Sequence, residues 1–189
     1  MNSAYQSGMR RLSYLLVCLI PWAAPLPGAT LERLSLDDAA QKSTDIVRAR
    51  VLESYADFRG SVIYTHWKLQ VVERWKGADH ASIEILVPGG VARGFRQDIA
   101  GAPQLVKGKE YLLFLWTAKS GSTYITGLSQ GVFELPKNES GDLLAVRAAT
   151  SETMLDRKTW QPVQDDGVQM LYADMTSRIA TALAQAGKQ

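Results

Sequence analysis

The sequence predicts a mainly β, single-domain fold built as a small antiparallel barrel, with a short helix before it and an amphipathic helix after it. Three observations point there. Apolar and polar residues alternate over long stretches between Ile46 and Val87, which is the period of half-buried strands. The run Tyr111 to Trp116 is apolar at every position, as a strand covered on both faces would be. Gly- and Pro-rich turns separate the strand-like runs, and no crossover helices lie between them.

Residues 1–29 differ from the rest of the chain. Arg10 and Arg11 precede an apolar run from Leu12 to Ala24, and Pro25 to Ala29 are small or turn-forming. That is the layout of a cleavable secretory signal peptide, and its apolar stretch is too short to cross a bilayer. Cys18 lies inside that run behind Val17, where lipid attachment requires a small residue. The expected product is secreted or periplasmic and has no integral membrane segment.

Cleavage near Ala29 would remove two arginines and no acid, leaving nineteen basic residues against nineteen acidic ones. A neutral domain without a basic patch argues against nucleic-acid binding. Cleavage also removes the single cysteine, so the domain has to be held by its apolar core without a disulfide. A chain of about 160 residues buries enough surface for that.

Residues 30–148 are expected to form the barrel. Ser35 and Asp38 have the spacing of a capping box ahead of a short helix, Leu36 to Lys42. Ile46 to Glu53 alternates as a strand. From Ser61 to Trp75, Ile63, Thr65, Trp67, Leu69 and Val71 share one face, while Tyr64, His66, Lys68 and Gln70 share the other; a strand this long should bend. Ile83 to Val87 makes the next strand, stopped by Pro88-Gly89-Gly90. After a long glycine-punctuated loop comes Tyr111 to Trp116, followed by strands at Thr123–Thr126, Gly131–Leu135 and Leu143–Arg147. Residues 149–165 read as a surface connector. Val168, Leu171, Tyr172, Met175, Ile179 and Leu183 then recur three or four apart, predicting a helix from Asp166 to Ala184 that packs on the barrel.

The segments DIVRARV (Asp45–Val51), VVERWKG (Val71–Gly77) and LVKGKEYLLF (Leu105–Phe114) resemble netrin-like domains, the OB-fold modules that include tissue inhibitors of metalloproteinases. The PGG, GAP, YLLFL and GLSQG segments also look like those of an uncharacterised family of exported bacterial proteins. The resemblance implies an OB-like (netrin-like) barrel and a role in protein binding. Metalloproteinase inhibitors of that family use an N-terminal cysteine to reach zinc, and the mature chain expected here has none, so that mechanism does not carry over.

No residue pattern assembles a catalytic centre. Gly127-Leu-Ser129-Gln-Gly131 matches the G-x-S-x-G spacing of serine hydrolases, but strand-like residues follow it instead of a helix, so it reads as a glycine-framed turn. His66 and His80 are the only histidines, too few for a zinc site without carboxylate help from Asp79 or Glu84. Neither a metal nor another cofactor is expected. Glu73, Asp98 and Glu134 lie too far apart in sequence to be read as an acid–base pair. Trp67, Trp75, Trp116 and Trp160 could stack on a carbohydrate, with core packing the default reading.

The best binding candidate is the loop carrying Arg93, Phe95, Arg96 and Asp98, since long loops on a rigid scaffold carry contacts and Arg and aromatic residues dominate interface energies. The alternative is that Phe95 tucks into the barrel end and the arginines solvate it. The expected function is an exported, non-enzymatic binding or inhibitory module for an envelope or secreted macromolecule, a protease among the candidates. A small serine hydrolase using Ser129 and a structural envelope protein are the alternatives.

Overall fold

The computed structural model of the chain describes residues 30–150 and 152–187; the expected signal peptide, residues 1–29, lies outside the described residues. The elements in order are β1 (Thr30–Glu32), α1 (Leu36–Lys42), β2 (Asp45–Arg59), β3 (Val62–Lys76), β4 (Ser82–Pro88), β5 (Gly90–Ala92), β6 (Phe95–Gln97), β7 (Glu110–Thr117) and β8 (Thr123–Ile125). A 3-10 turn at Leu128–Gly131 leads to β9 (Val132–Glu134), β10 (Leu144–Arg147), β11 (Thr153–Leu155), β12 (Pro162–Val163), β13 (Val168–Leu171) and α2 (Tyr172–Ala186). The fold is mainly β, with one helix near each end, as the residue pattern predicts.

Five strands close into a ring. β2 pairs with β3, β3 with β4, β4 with β8, β8 with β7, and β7 again with β2, all antiparallel except the single bridge between β4 and β8. This is an OB-like barrel, and closure removes the exposed edges these strands would otherwise present. The bends expected in the long strands appear as register shifts between β2 and β3 at Ile46/Val47, Arg48/Ala49 and Val51/Glu53.

The ring forks at β7. The first half of that strand pairs with β9 through Tyr111–Glu134 and Leu113–Val132, and its second half pairs with β8 through Leu115–Ile125 and Thr117–Thr123. The sheet then continues outward through β9, β10 and β13. The fork explains the GLSQG segment, because the turn between β8 and β9 must fold tightly against β7. Gly127 sits at φ 67, and a Cβ on Gly131 would run into the carbonyl oxygen of Thr126.

Two apolar cores lie on opposite sides of β7. Tyr111, Leu113 and Leu115 point into the barrel with Val47, Val51, Leu69 and Ile85. Leu112 and Phe114 point outward, where Ala39 and Ala40 of α1 and Met175, Ile179 and Ala182 of α2 cover them together with Phe133 and Ala145. The helix ends are secured locally. Ser35 Oγ accepts the Asp38 amide at 3.0 Å, the cap predicted from sequence. Lys76 Nζ, reaching from β3, donates to the carbonyls of Ala40 and Gln41 at the other end of α1.

Two expectations change. The C-terminal helix begins at Tyr172 and not at Asp166, because Val168–Leu171 is taken by β13, which pairs with β10 from Leu144–Leu171 to Arg147–Val168. The apolar positions at Val168 and Met170 fall two apart, as a strand needs, while Val168 and Leu171 also fit the helical spacing that follows. Residues 149–165 hold β11 and β12, which form a small sheet with β1, and β1 runs parallel to β11.

Arg147 of β10 and Asp165 tie this segment to the outward branch of the sheet. The guanidinium of Arg147 donates from both Nη atoms to the Asp165 carboxylate at 2.6 and 2.7 Å, and the amides of Thr150 and Gly167 donate to the same carboxylate. These donors, Arg147 first, hold the Asp165 pKa down at about 2 against an ordinary 3.8. A depressed folded-state pKa adds stability that is present above the unfolded value and lost as pH falls through the folded one. Between about pH 4 and pH 2 the wild type should therefore lose about 2 kcal/mol more unfolding free energy than Asp165→Asn, in urea titrations at each pH.

Candidate functional site

The predicted contact loop is a built hairpin. β5 and β6 pair through Gly90–Gln97, Val91–Arg96 and Ala92–Phe95, leaving Arg93-Gly94 as a two-residue tip. Both tip residues have positive φ, 51 and 81, which is the backbone of a type I′ turn. Arg93, a non-glycine in the left-handed region, is held there by contacts: its Nη2 donates to Asp57 Oδ1 at 3.0 Å and its guanidinium lies over the Phe58 ring at 5.8 Å.

Other bonds fasten the hairpin to the far end of the long β2–β3 pair. The Ile63 amide donates to Gln97 Oε1 at 2.7 Å, the Gly89 amide donates to the Ile63 carbonyl, and Thr65 Oγ1 donates to the Gly89 carbonyl. Gly90 allows the close approach, since a Cβ there would meet Thr65 Oγ1. On this frame Phe95 is 66% exposed and Val91 60% exposed. Phe95 touches Phe58 edge-on at 6.0 Å between ring centroids. The alternative in which Phe95 tucks into the barrel end is thus overturned. Arg96 and Asp98 pair with each other at 3.0 Å in open solvent, a contact that lowers the Asp98 pKa through its hydrogen bond to Arg96.

Beside the hairpin, a cleft of about 450 Å³ opens on the outside of the ring between the β2–β3 tip and the Ser120–Thr123 turn. Its wall is a stacked pair, Tyr55 on His66, with centroids 4.5 Å apart and planes 15° apart. Glu84 joins them: its carboxylate contacts His66 Nδ1 at 2.8 Å and accepts from the Tyr55 hydroxyl at 3.3 Å. Desolvation and the Glu84 charge raise the Tyr55 pKa, keeping that hydroxyl a donor. On the opposite wall Arg59 Nη1 donates to Ser122 Oγ at 3.0 Å. The cleft adjoins the hairpin through Asp57 and Phe58.

Of the remaining sequence candidates, His66 and Glu84 meet in the cleft and the others are not brought together. Ser129 lies in the 3-10 turn at the β7 fork, with its amide donating to the Gly101 carbonyl and its buried Oγ without a hydrogen-bond partner. Gln130 beside it holds the chain before α1, accepting from the Leu34 amide at 2.8 Å and donating to the Glu32 carbonyl at 2.9 Å. His66 is engaged with Glu84, and His80 lies in the β3–β4 connection, where its carbonyl accepts from Arg74. Glu73 accepts from Tyr172 and Arg48, Asp98 pairs with Arg96, and Glu134 sits opposite Tyr111 on β9. Among the described residues, no cluster of three or more His, Cys, Asp or Glu side chains could hold a metal.

The four tryptophans also separate. Trp67 is inside the barrel, Trp75 packs against Tyr172 in the outer layer, Trp116 is on the outer face beside Tyr124, and Trp160 is in the β11–β12 turn. Sequence reasoning missed Tyr55 and Tyr124 as site residues, and it weighed Glu84 only as a metal ligand beside the histidines. The available signal was the aromatic pair Tyr64 and His66 on an otherwise polar strand face. No family model, curated protein or solved structure matches the chain.

A hydroxyl without a partner contributes nothing when buried, so Ser129→Ala should leave stability unchanged or raise it by up to about 1 kcal/mol. A fluorophosphonate serine probe should label neither wild type nor Ser129→Ala. Labelling that disappears in the variant would overturn the assignment of the GLSQG segment to the fork.

Proposed function

We propose that the protein is an exported, non-enzymatic binding module that recognises a protein partner in the envelope or outside the cell through the β5–β6 hairpin. The observation that carries this is Phe95, left 66% exposed on a hairpin fixed at its base, flank and tip. Leaving such a side chain in water forgoes roughly 2 kcal/mol of burial, although the neighbouring backbone is tightly positioned. A partner that covers it recovers that energy without first ordering a loop.

The surrounding residues suit this role. Arg93 and Arg96 flank the ring, and the pairing of Arg93 with Asp57 presents a largely neutral surface with one aromatic anchor. The residues expected to form a signal peptide and the resemblance to netrin-like modules support export and protein recognition. Proteases are one partner class within this reading.

The test is capture of partners from native extracts by the wild type, by Phe95→Ala and by the triple alanine variant at Arg93, Phe95 and Arg96. The wild type should retain a specific partner. Phe95→Ala should weaken it by about 2 kcal/mol in direct titration, the scale of an interface anchor. Undiminished capture by the triple variant, with circular dichroism unchanged, would contradict the hairpin as the contact.

A further inference from the structure

The strand register places a row of side chains across the outside of the entire ring. Tyr55 of β2 pairs with His66 of β3, His66 with Leu86 of β4, Leu86 with Tyr124 of β8, and Tyr124 with Trp116 of β7. Directly paired residues point to the same side of a sheet, so these five side chains form one continuous band. Four of the five are aromatic rings.

The rings also touch. Tyr55 stacks on His66, and Trp116 lies against Tyr124 at 5.9 Å with a 30° tilt. Tyr64, two residues before His66, meets Tyr124 edge-on at 6.2 Å. The two ends of the band remain open to solvent, Tyr55 and Trp116 each being 48% exposed. The cleft lined by Tyr55, His66, Glu84, Arg59 and Ser122 lies along its first half.

We propose that this band and its cleft bind a neutral, hydroxyl-rich oligosaccharide chain. Ring faces carry negative partial charge and attract the polarised C–H bonds of a pyranose, while the polar groups beside them can exchange hydrogen bonds with its hydroxyls. Glu84 and the Tyr55 hydroxyl oxygen offer acceptors, and the Ser122 hydroxyl and the remaining N–H groups of Arg59 offer donors. Leu86, in the middle of the band, is buried, so a sugar chain stacks on Tyr55 at one end and on Trp116 beside Tyr124 at the other.

Charge decides against the other polymers. The cleft cation Arg59 faces the carboxylates Asp57 and Glu84, and Arg93 is already paired with Asp57, so phosphates would meet as much repulsion as attraction. The site is distinct from the Phe95 contact and holds whether or not that contact binds a protein.

Isothermal titration with chitohexaose, cellohexaose and maltohexaose tests it. At least one should bind the wild type, and Tyr55→Ala and Trp116→Ala should each weaken it about tenfold, the value of a lost stacking contact. Both residues are half exposed, so both variants should keep the wild-type unfolding midpoint, and Phe95→Ala should bind the sugar as the wild type does. The proposal is overturned by the absence of binding of all three sugars at millimolar concentration. Sugar binding indifferent to both aromatic replacements overturns it too, as does an oligodeoxythymidine that binds in a Tyr55-dependent way.

Discussion

Strand β7 has to satisfy two apolar layers at once, and the rest of the structure is arranged around that demand. Tyr111, Leu113 and Leu115 fill the barrel, while Leu112 and Phe114 fill the space beneath the helices, all five almost completely buried. Burial of side chains like these is worth about 2 kcal/mol each, and the share of Leu112 and Phe114 is realised only when the helices are in place. The helices are therefore part of the core. They cover a face of the barrel that would otherwise be a large apolar patch. Because β7 also pairs with β2, β8 and β9, its position sets the ring closure and the outward branch of the sheet together.

The division between inside and outside decides which faces of the barrel stay open. The face of the ring near β9 and β10 is covered by α1 and α2, so it has no free surface to offer. Among the described residues no helix lies over the outer face of β3, β4 and β8, and the exposed aromatic side chains of the ring, Tyr55 of β2 and Trp116 of β7, stand on the strands that flank it. The glycines at Gly89 and Gly90 bring the hairpin against the β2–β3 end. The result is a barrel with the hairpin and the cleft at one end and its own helices over the other side.

Much of the fold is legible in the residues. Alternation reports which side of a strand is buried, and it placed Ile63, Trp67 and Leu69 correctly in the core. An unbroken apolar run reports a strand covered on both faces, and β7 is that strand. The Ser35 cap was visible because its bonds are local. What sequence could not show depends on contacts distant along the chain. β1 is a three-residue strand whose only partner is β11, more than a hundred residues away, and β13 hides within a helical spacing. The hairpin tip fell within the predicted contact loop, whereas the band from Tyr55 to Trp116 is assembled by register across five strands. Alternation gives the face of a residue but not its cross-strand neighbour.

Native-state hydrogen exchange with increasing denaturant tests the dependence of both layers on β7 most directly. If one strand serves both cores, the amides of Leu112–Leu115, of Val47–Val51 in β2 and of Met175 and Ile179 in α2 should converge on a single opening free energy. Exchange of α2 and β10 through a separate, lower-energy opening, with the ring strands still fully protected, would show two independent cores and contradict the account.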